Sequence, residues 1–364
     1  MNLPDHDQNR ALCRAIADRI AQTGPAAMRI MEVCGTHTVS IFRSGIRALL
    51  PESISLVSGP GCPVCVTDQK EIDAFIELAK RENTIIATFG DLLRVPGSHA
   101  SLQQEKAAGH DIRVVYSAMD ALEMARANPH KDVILPGIGF ETTAPTIAAS
   151  ILAAQQEGID NFSVCCAHKR VPPALAALAQ DPDIRIDGFL LPGHVSVVIG
   201  VIGYAPFFNQ CGLPMVIAGF EPAEILTAIL RLAEMAAGGR PALENAYPRA
   251  VAHNGNATAR RIMAQVFDEC DARWRGLGRI AKSGLVIRDA FAHFDAARRF
   301  GIDITESAPP LGCACGHILT GKTTPPECPL YKRVCNPANP VGPCMVSSEG
   351  TCAAYYHYAG ADSR

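Results

Sequence analysis

Arg29-Ile30-Met31-Glu32-Val33 runs directly into Cys34-Gly35-Thr36-His37-Thr38, a short apolar strand pattern ending in a turn. The unit recurs at Ser53–Val57, which ends in Gly59-Pro60-Gly61-Cys62-Pro63-Val64-Cys65 and precedes a helical pattern over Asp68–Arg81. Asp68 and Glu71 there have the spacing of a capping box. From Met28 to about Ala237 short β-branched runs alternate with longer helical patterns, the signature of parallel sheets built from βαβ units. The remaining candidate strands are Thr84–Thr88, Ile112–Tyr116, Val133–Leu135, Phe162–Cys166, Gly188–Leu191 and Met215–Ala218. Eight strands suit two small sheets better than one large one. An internal echo supports the division: Gly139-Phe140-Glu141-Thr142 and Gly219-Phe220-Glu221-Pro222 each follow an apolar strand and open a helix.

The expected architecture is therefore α/β: two small parallel-sheet βαβ domains plus a helical, Cys-rich iron-sulfur domain. The first α/β domain spans residues 25–125, the second 126–237, and residues 1–24 join 238–364 in the third. In the third, Ala257–Val266 and Asp289–Phe300 read as helices, and from Pro309 the chain becomes dense in Pro, Gly and Cys.

With 364 residues the chain can bury a full core, and 48% apolar content, 19% charge and a net charge of −3 separate it from disordered and basic nucleic-acid-binding classes. The longest apolar stretch, Val195–Phe208, is too short to span a membrane and is interrupted by Gly200, Gly203 and Pro206. Met1–Ala21 is polar and helix-like and lacks the apolar region of a secretory signal, so a cytoplasmic location is expected. In a reducing compartment, fourteen cysteines point to metal binding or thiol chemistry rather than to a disulfide framework.

Ligands of open α/β sheets gather beyond the carboxyl ends of the strands, where Cys34, His37, Cys62 and Cys65 all fall. Neighbouring parallel strands bring such loops together, so the four are expected around one point, with His37 a hydrogen-bond partner rather than a ligand. A CxxC at a helix N-terminus gains from the helix dipole, which predicts reactive thiols of lowered pKa. The spacing alone serves a redox dithiol, half of a zinc site or a soft iron site.

Six cysteines crowd the tail: Cys313, Cys315, Cys328, Cys335, Cys344 and Cys352. The prolines around them preclude regular structure, so the segment needs a staple. Paired zinc knuckles are missing, whereas a 4Fe-4S cluster accepts irregular spacing from four thiolates. Cys315, Cys328, Cys335 and Cys352 are the expected ligands, with Cys313 and Cys344 as substitutes; structural zinc is the competing reading.

Several other residues have plainer readings. Cys165 and Cys166 read as buried hydrophobes, and Cys13, Cys211 and Cys270 as packing residues. Asp91 and Arg94 either face a ligand or partner or belong to an ordinary turn. Glu141 and Glu221 read as helix caps, and His194 as polar lining. No GxxxxGK[ST] stretch supports a P-loop nucleotide site.

Taken together, Cys34-Gly35-Thr36-His37, Gly59-Pro60-Gly61-Cys62-Pro63-Val64-Cys65, Thr88-Phe89-Gly90-Asp91, Pro136-Gly137-Ile138-Gly139-Phe140-Glu141-Thr142-Thr143, Leu191-Pro192-Gly193-His194 and Cys344-Met345-Val346-Ser347-Ser348-Glu349-Gly350 resemble the HypD family of nickel-iron hydrogenase maturation proteins. The resemblance runs from about Met31 to Tyr356. It implies a scaffold on which, with the small chaperone HypC, an iron centre carrying two cyanides and one carbon monoxide is assembled. Cyanide would come from HypE, made from carbamoyl phosphate through HypF, and the iron unit would pass to the hydrogenase large-subunit precursor. By the same resemblance Cys34, Cys62 and Cys65 match the iron-associated cysteines, and the tail matches a 4Fe-4S domain. Two other function classes are carried beside it: an iron-sulfur-dependent protein disulfide reductase with Cys62 as attacking thiolate, and a zinc-binding interaction module.

Overall fold

Among the described residues nine of the eleven strands lie in two wholly parallel sheets, and the chain passes from the first sheet to the second and back again. A computed structural model describes residues 6–303, 307 and 310–359. The expectations for Met1–Asp5, Pro309 and residues 360–364 lie outside the described residues.

The first sheet has the order β2-β1-β7-β8-β9, built from β1 Met28–Glu32, β2 Ile54–Ser58, β7 Gly188–Pro192, β8 Met215–Ala218 and β9 Leu243–Asn245. The second has the order β4-β3-β5-β6, from β3 Thr84–Thr88, β4 Ile112–Val114, β5 Asp132–Gly137 and β6 Phe162–Cys166. Side-chain alternation explains why the strands read as continuous apolar runs. In the first sheet Ile30, Leu190 and Val216 face one core, while Met31, Phe189, Leu191 and Ile217 face another. In the second, Ile85, Val133 and Phe162 face away from Ile86 and Ile134. Both faces of each sheet are buried, as parallel sheets require.

Each sheet contains one point where strand order reverses, between β1 and β7 and between β3 and β5. Such switch points open a crevice at the carboxyl ends. Cys34 follows β1 there. Val33, Leu191 and Val195 at the mouth of the first sheet share one core with Phe140 and Val171 from the loops of the second. Cys62, Cys65 and the tail cysteines belong to that same core, so the sulfur-rich segments are packed where the two sheets meet.

The α/β class and all eight expected strands are present, Thr84–Thr88, Phe162–Cys166 and Met215–Ala218 with the expected ends. The expected boundary between residues 125 and 126 runs through the second sheet, because β3 pairs with β5 from Thr84 opposite Asp132 to Ile86 opposite Ile134. Strand pairing, not position along the chain, sets the sheet division.

The third segment is less helical than expected. Ala257–Val266 is a helix, but an antiparallel hairpin follows, β10 Phe267–Trp274 with β11 Gly278–Ile287. Asp289–Phe300 is broken at Asp295, whose carboxylate accepts from the Ala297 and Arg298 N–H groups and starts a new helix. Trp274 at the hairpin end stacks on Phe140, ring centroids 5.9 Å apart, and donates its indole N–H to Ser283. Among the described residues no helix is long and apolar enough to cross a membrane.

Candidate thiol centre

Cys34 and Cys62 occupy equivalent places. Each is the extended residue at the cap of a helix that begins directly after a first-sheet strand, Gly35–Arg43 after β1 and Pro63–Val66 after β2. Pro63 is pre-set for a first helical position, and the Cys62 Sγ accepts the Cys65 N–H at 3.2 Å. Gly61 makes the turns fit back to back. A Cβ on Gly61 would stand 2.3 Å from the Cys34 nitrogen and 2.5 Å from its Cα, so only glycine allows the approach. The Gly35 N–H donates to the Gly61 carbonyl at 3.1 Å and locks it.

The backbone N–H groups of His37 and Thr36 and the Thr36 hydroxyl lie near the Cys34 sulfur and partly offset the cost of burying it. That hydroxyl donates to Glu349 Oε1 at 2.5 Å. The Glu349 backbone presses on Gly35, where a Cβ would lie 2.6 Å from the Glu349 oxygen. A residue of the tail thus closes over the mouth of β1. Glu349 was visible in the sequence only as part of a motif, because nothing local indicates which strand end it covers.

At Cys65 burial reverses the lowered pKa expected of a CxxC thiol, and it raises the Cys34 thiol as well. Cys34 is 6% exposed, Cys62 3% and Cys65 0%. Desolvation pushes the Cys34 thiol up to about 12 and the Cys65 thiol well above its ordinary value. A single helical turn supplies too little dipole to offset that loss of hydration. In this closed state the Cys34 and Cys65 thiols are protonated and protected.

His37 contributes its backbone to the site, not its ring. The ring is fully buried, and Nε2 lies 2.8 Å from the Gly219 carbonyl. A carbonyl only accepts, so Nε2 carries the proton and buried Nδ1 has no partner. Burial lowers its pKa to about 4, leaving the imidazole neutral. The ring packs 4.8 Å from Phe220, which in turn stacks on exposed His194 at 4.0 Å.

The tail completes the centre. Its six cysteines line one small cavity. Within it the Cys315 and Cys344 sulfurs stand 2.7 Å apart. Cys344 also meets the side chains of Cys65 and Cys352, and Cys315 meets that of Cys313. The Cys65 Sγ lies 3.9 Å from the Pro343 carbonyl. A continuous row of sulfurs therefore links Cys62 and Cys65 to Cys344, Cys315 and the cavity. Cys335 also lines the cavity, and its sulfur accepts the Val341 N–H at 3.4 Å. Among the described residues no three His, Cys, Asp or Glu side chains already adopt metal-binding geometry. The sulfurs instead stand in adjacent pairs around a cavity.

Asp91 and Arg94 turn out to hold the tail. Ser347 donates to Asp91 Oδ2 at 3.0 Å, and Arg94 donates to the Pro337 and Val346 carbonyls at 3.0 and 3.3 Å. Glu141 is buried and accepts the Val171 N–H, at the start of the helix Val171–Gln180. Glu221 is the N-cap of the helix Pro222–Gly238 and forms a capping box with Glu224, whose carboxylate takes the Phe220 and Glu221 N–H groups at 3.0 and 3.2 Å. Cys13 and Cys165 are core residues. Cys166 lies 3.2 Å from His168 Nδ1, remote in sequence from the row of sulfurs.

Comparison with known proteins agrees with the motifs. The HypD family model, described as the hydrogenase formation hypA family, matches residues 8–359. A hydrogenase maturation factor HypD of Rhodobacter capsulatus is 47% identical over 95% of this chain and 93% of its own. That of Azotobacter vinelandii is 46% identical over 98% and 97%, and that of Escherichia coli K12 42% over 100% and 96%.

Proposed function

The chain belongs to the HypD family of hydrogenase maturation proteins, and on that footing we propose that it is the scaffold on which the Fe(CN)2CO unit of nickel-iron hydrogenase is assembled. HypC shares the iron, HypE delivers cyanide, and the finished unit goes to the large-subunit precursor. Iron is the cargo here. An iron(II) bearing strong-field ligands suits soft thiolates, and Cys34 with one thiol of the Cys62/Cys65 pair would hold it beside a HypC cysteine.

The observation that carries this reading is the packing of the Cys34 and Cys62 turns against each other through Gly61 while Cys65 touches Cys344. The first contact makes a metal mouth and the second a route for reduction. If Cys62 and Cys65 are joined as a disulfide, the Cys344 thiolate attacks the Cys65 sulfur and Cys62 leaves as thiolate. Cys315 then attacks Cys344, and Cys65 leaves as thiolate. Two electrons have moved from one dithiol to the other, and the protons of Cys344 and Cys315 end on Cys62 and Cys65.

The cavity and its soft donors fit a 4Fe-4S cluster. With Cys315 and Cys344 engaged as a pair, the four remaining thiols, Cys313, Cys328, Cys335 and Cys352, would hold it; Cys313 thus replaces Cys315 in the ligand set expected from spacing. Such a cluster supplies single electrons for restoring the Cys315–Cys344 dithiol.

Serine in place of Cys62 tests the scaffold. The C62S chain, copurified with HypC, is expected to lose its bound iron and the infrared bands of metal-bound cyanide. Retention of those bands would refute the assignment.

A further inference from the structure

The hairpin between β10 and β11 delivers a buried arginine to the end of the Cys62–Cys65 turn. Arg275 is only 6% exposed. Its Nε donates to the Thr67 carbonyl at 3.1 Å and Nη1 to Gln69 Oε1 at 3.0 Å, while its backbone N–H reaches the Val66 carbonyl at 2.9 Å. These three bonds tie it to the end of the Cys62–Cys65 turn. The remaining terminal nitrogen, Nη2, is buried and has no hydrogen-bond partner. An unsatisfied buried guanidinium N–H is costly and calls for an explanation.

The next residue sets the arginine beside the tail. Gly276 packs on the Gly316 backbone so tightly that a Cβ would come within 2.5 Å of its Cα, which places the hairpin tip against the Cys313–Gly316 segment. No carboxylate forms an ion pair with Arg275 among the described residues; its two side-chain acceptors, an amide and a carbonyl, leave its charge uncompensated.

We propose that Arg275 is a positioning residue whose unpaired charge, held beside the segment that carries Cys313, sets the potential at which electrons enter the sulfur row through the cluster bound there. This rests on the ligand set proposed above. A fixed positive charge favours the reduced, more negative cluster and so raises its potential. The three anchoring bonds hold the guanidinium so that the charge costs no reorganisation when an electron arrives.

The test is a redox titration of the anaerobically reconstituted full chain, followed by electron paramagnetic resonance of the reduced cluster. R275Q, with R275M as a second neutral replacement should the glutamine chain not fold, is expected to keep the cluster absorbance and lower the midpoint tenfold in the one-electron equilibrium, about 59 mV. R275K keeps the charge and should stay near the wild-type value. An unshifted neutral variant, or a lysine variant displaced as far as the neutral one, overturns the inference. C313S separates the two claims: full cluster content in that variant sinks the ligand set, whatever Arg275 does.

Discussion

The sulfurs of Cys315 and Cys344 face each other at 2.7 Å, and the second of them also meets Cys65. Exchange between the two dithiols then requires no large movement of the chain. In a C62S/C315S double variant, Cys65 and Cys344 are left without their exchange partners. Mild oxidation with diamide should join them, and disulfide mapping by mass spectrometry should find that link as the main product. Failure to find it would remove the relay while leaving the iron mouth untouched.

Gly61 makes a different demand. Its missing Cβ is what lets the Cys34 and Cys62 turns touch, and every atom in the way is backbone. G61A is expected to lose about 2–3 kcal/mol in urea unfolding, the upper range for overpacking, since no side chain can swing aside. A loss below ~0.5 kcal/mol would mean the turns can separate at little cost.

Glu32 gives stability a pH dependence. Burial raises its pKa to about 8, against the opposing Ser58 and Thr38 hydroxyls at 2.6 and 2.8 Å. The unfolded carboxyl releases its proton near 4.5, so between about 4.5 and 8 the folded chain holds a proton that the unfolded chain has lost. This contribution is full below the lower value and disappears as pH rises through the upper one. E32Q should therefore flatten the slope, gaining ~3.5 kcal/mol relative to wild type between pH 5 and pH 8. Parallel slopes for the two proteins would refute it.

Arg94 bridges the second sheet to the tail through two carbonyls on either side of Cys344. R94A leaves both acceptors to solvent and should ease local opening by about 1.4 kcal/mol, a tenfold effect. Alkylation of Cys344 under native conditions is expected to accelerate tenfold with little change in melting temperature. An unchanged rate would show that the Asp91–Ser347 bond is sufficient.

The features written locally were legible in the sequence. β-branched runs fixed the eight strands, and Asn256 before Ala257–Val266 marks a helix whose cap bonds the Ala259 N–H. The β10–β11 hairpin was not legible. Phe267, Cys270 and Trp274 are interspersed with Asp268, Glu269, Asp271 and Arg273, so a solvent-facing strand reads like a charged helix. Sheet membership was hidden for another reason: nothing in β3 or β4 says that their partners are β5 and β6 rather than β2. The thiol site was half legible. Cys34 and the CxxC announce themselves by placement at strand ends, but burial, which decides their protonation, depends on a tail some 280 residues away. The pairing of Cys315 with Cys344, 29 residues apart, was hidden as well, because spacing cannot reveal it.

Interleaving of the sheets also governs how the molecule must be made. Cys34 and Cys62 emerge from the ribosome long before β7–β9 can finish their sheet, and before the strap carrying Cys344 and Glu349 can cover them. At ~5–20 residues per second the wait is on the order of tens of seconds. During synthesis these thiols are open to stray metals and oxidants, and correct maturation depends on a cell that keeps the nascent chain reduced until its last fifty residues arrive.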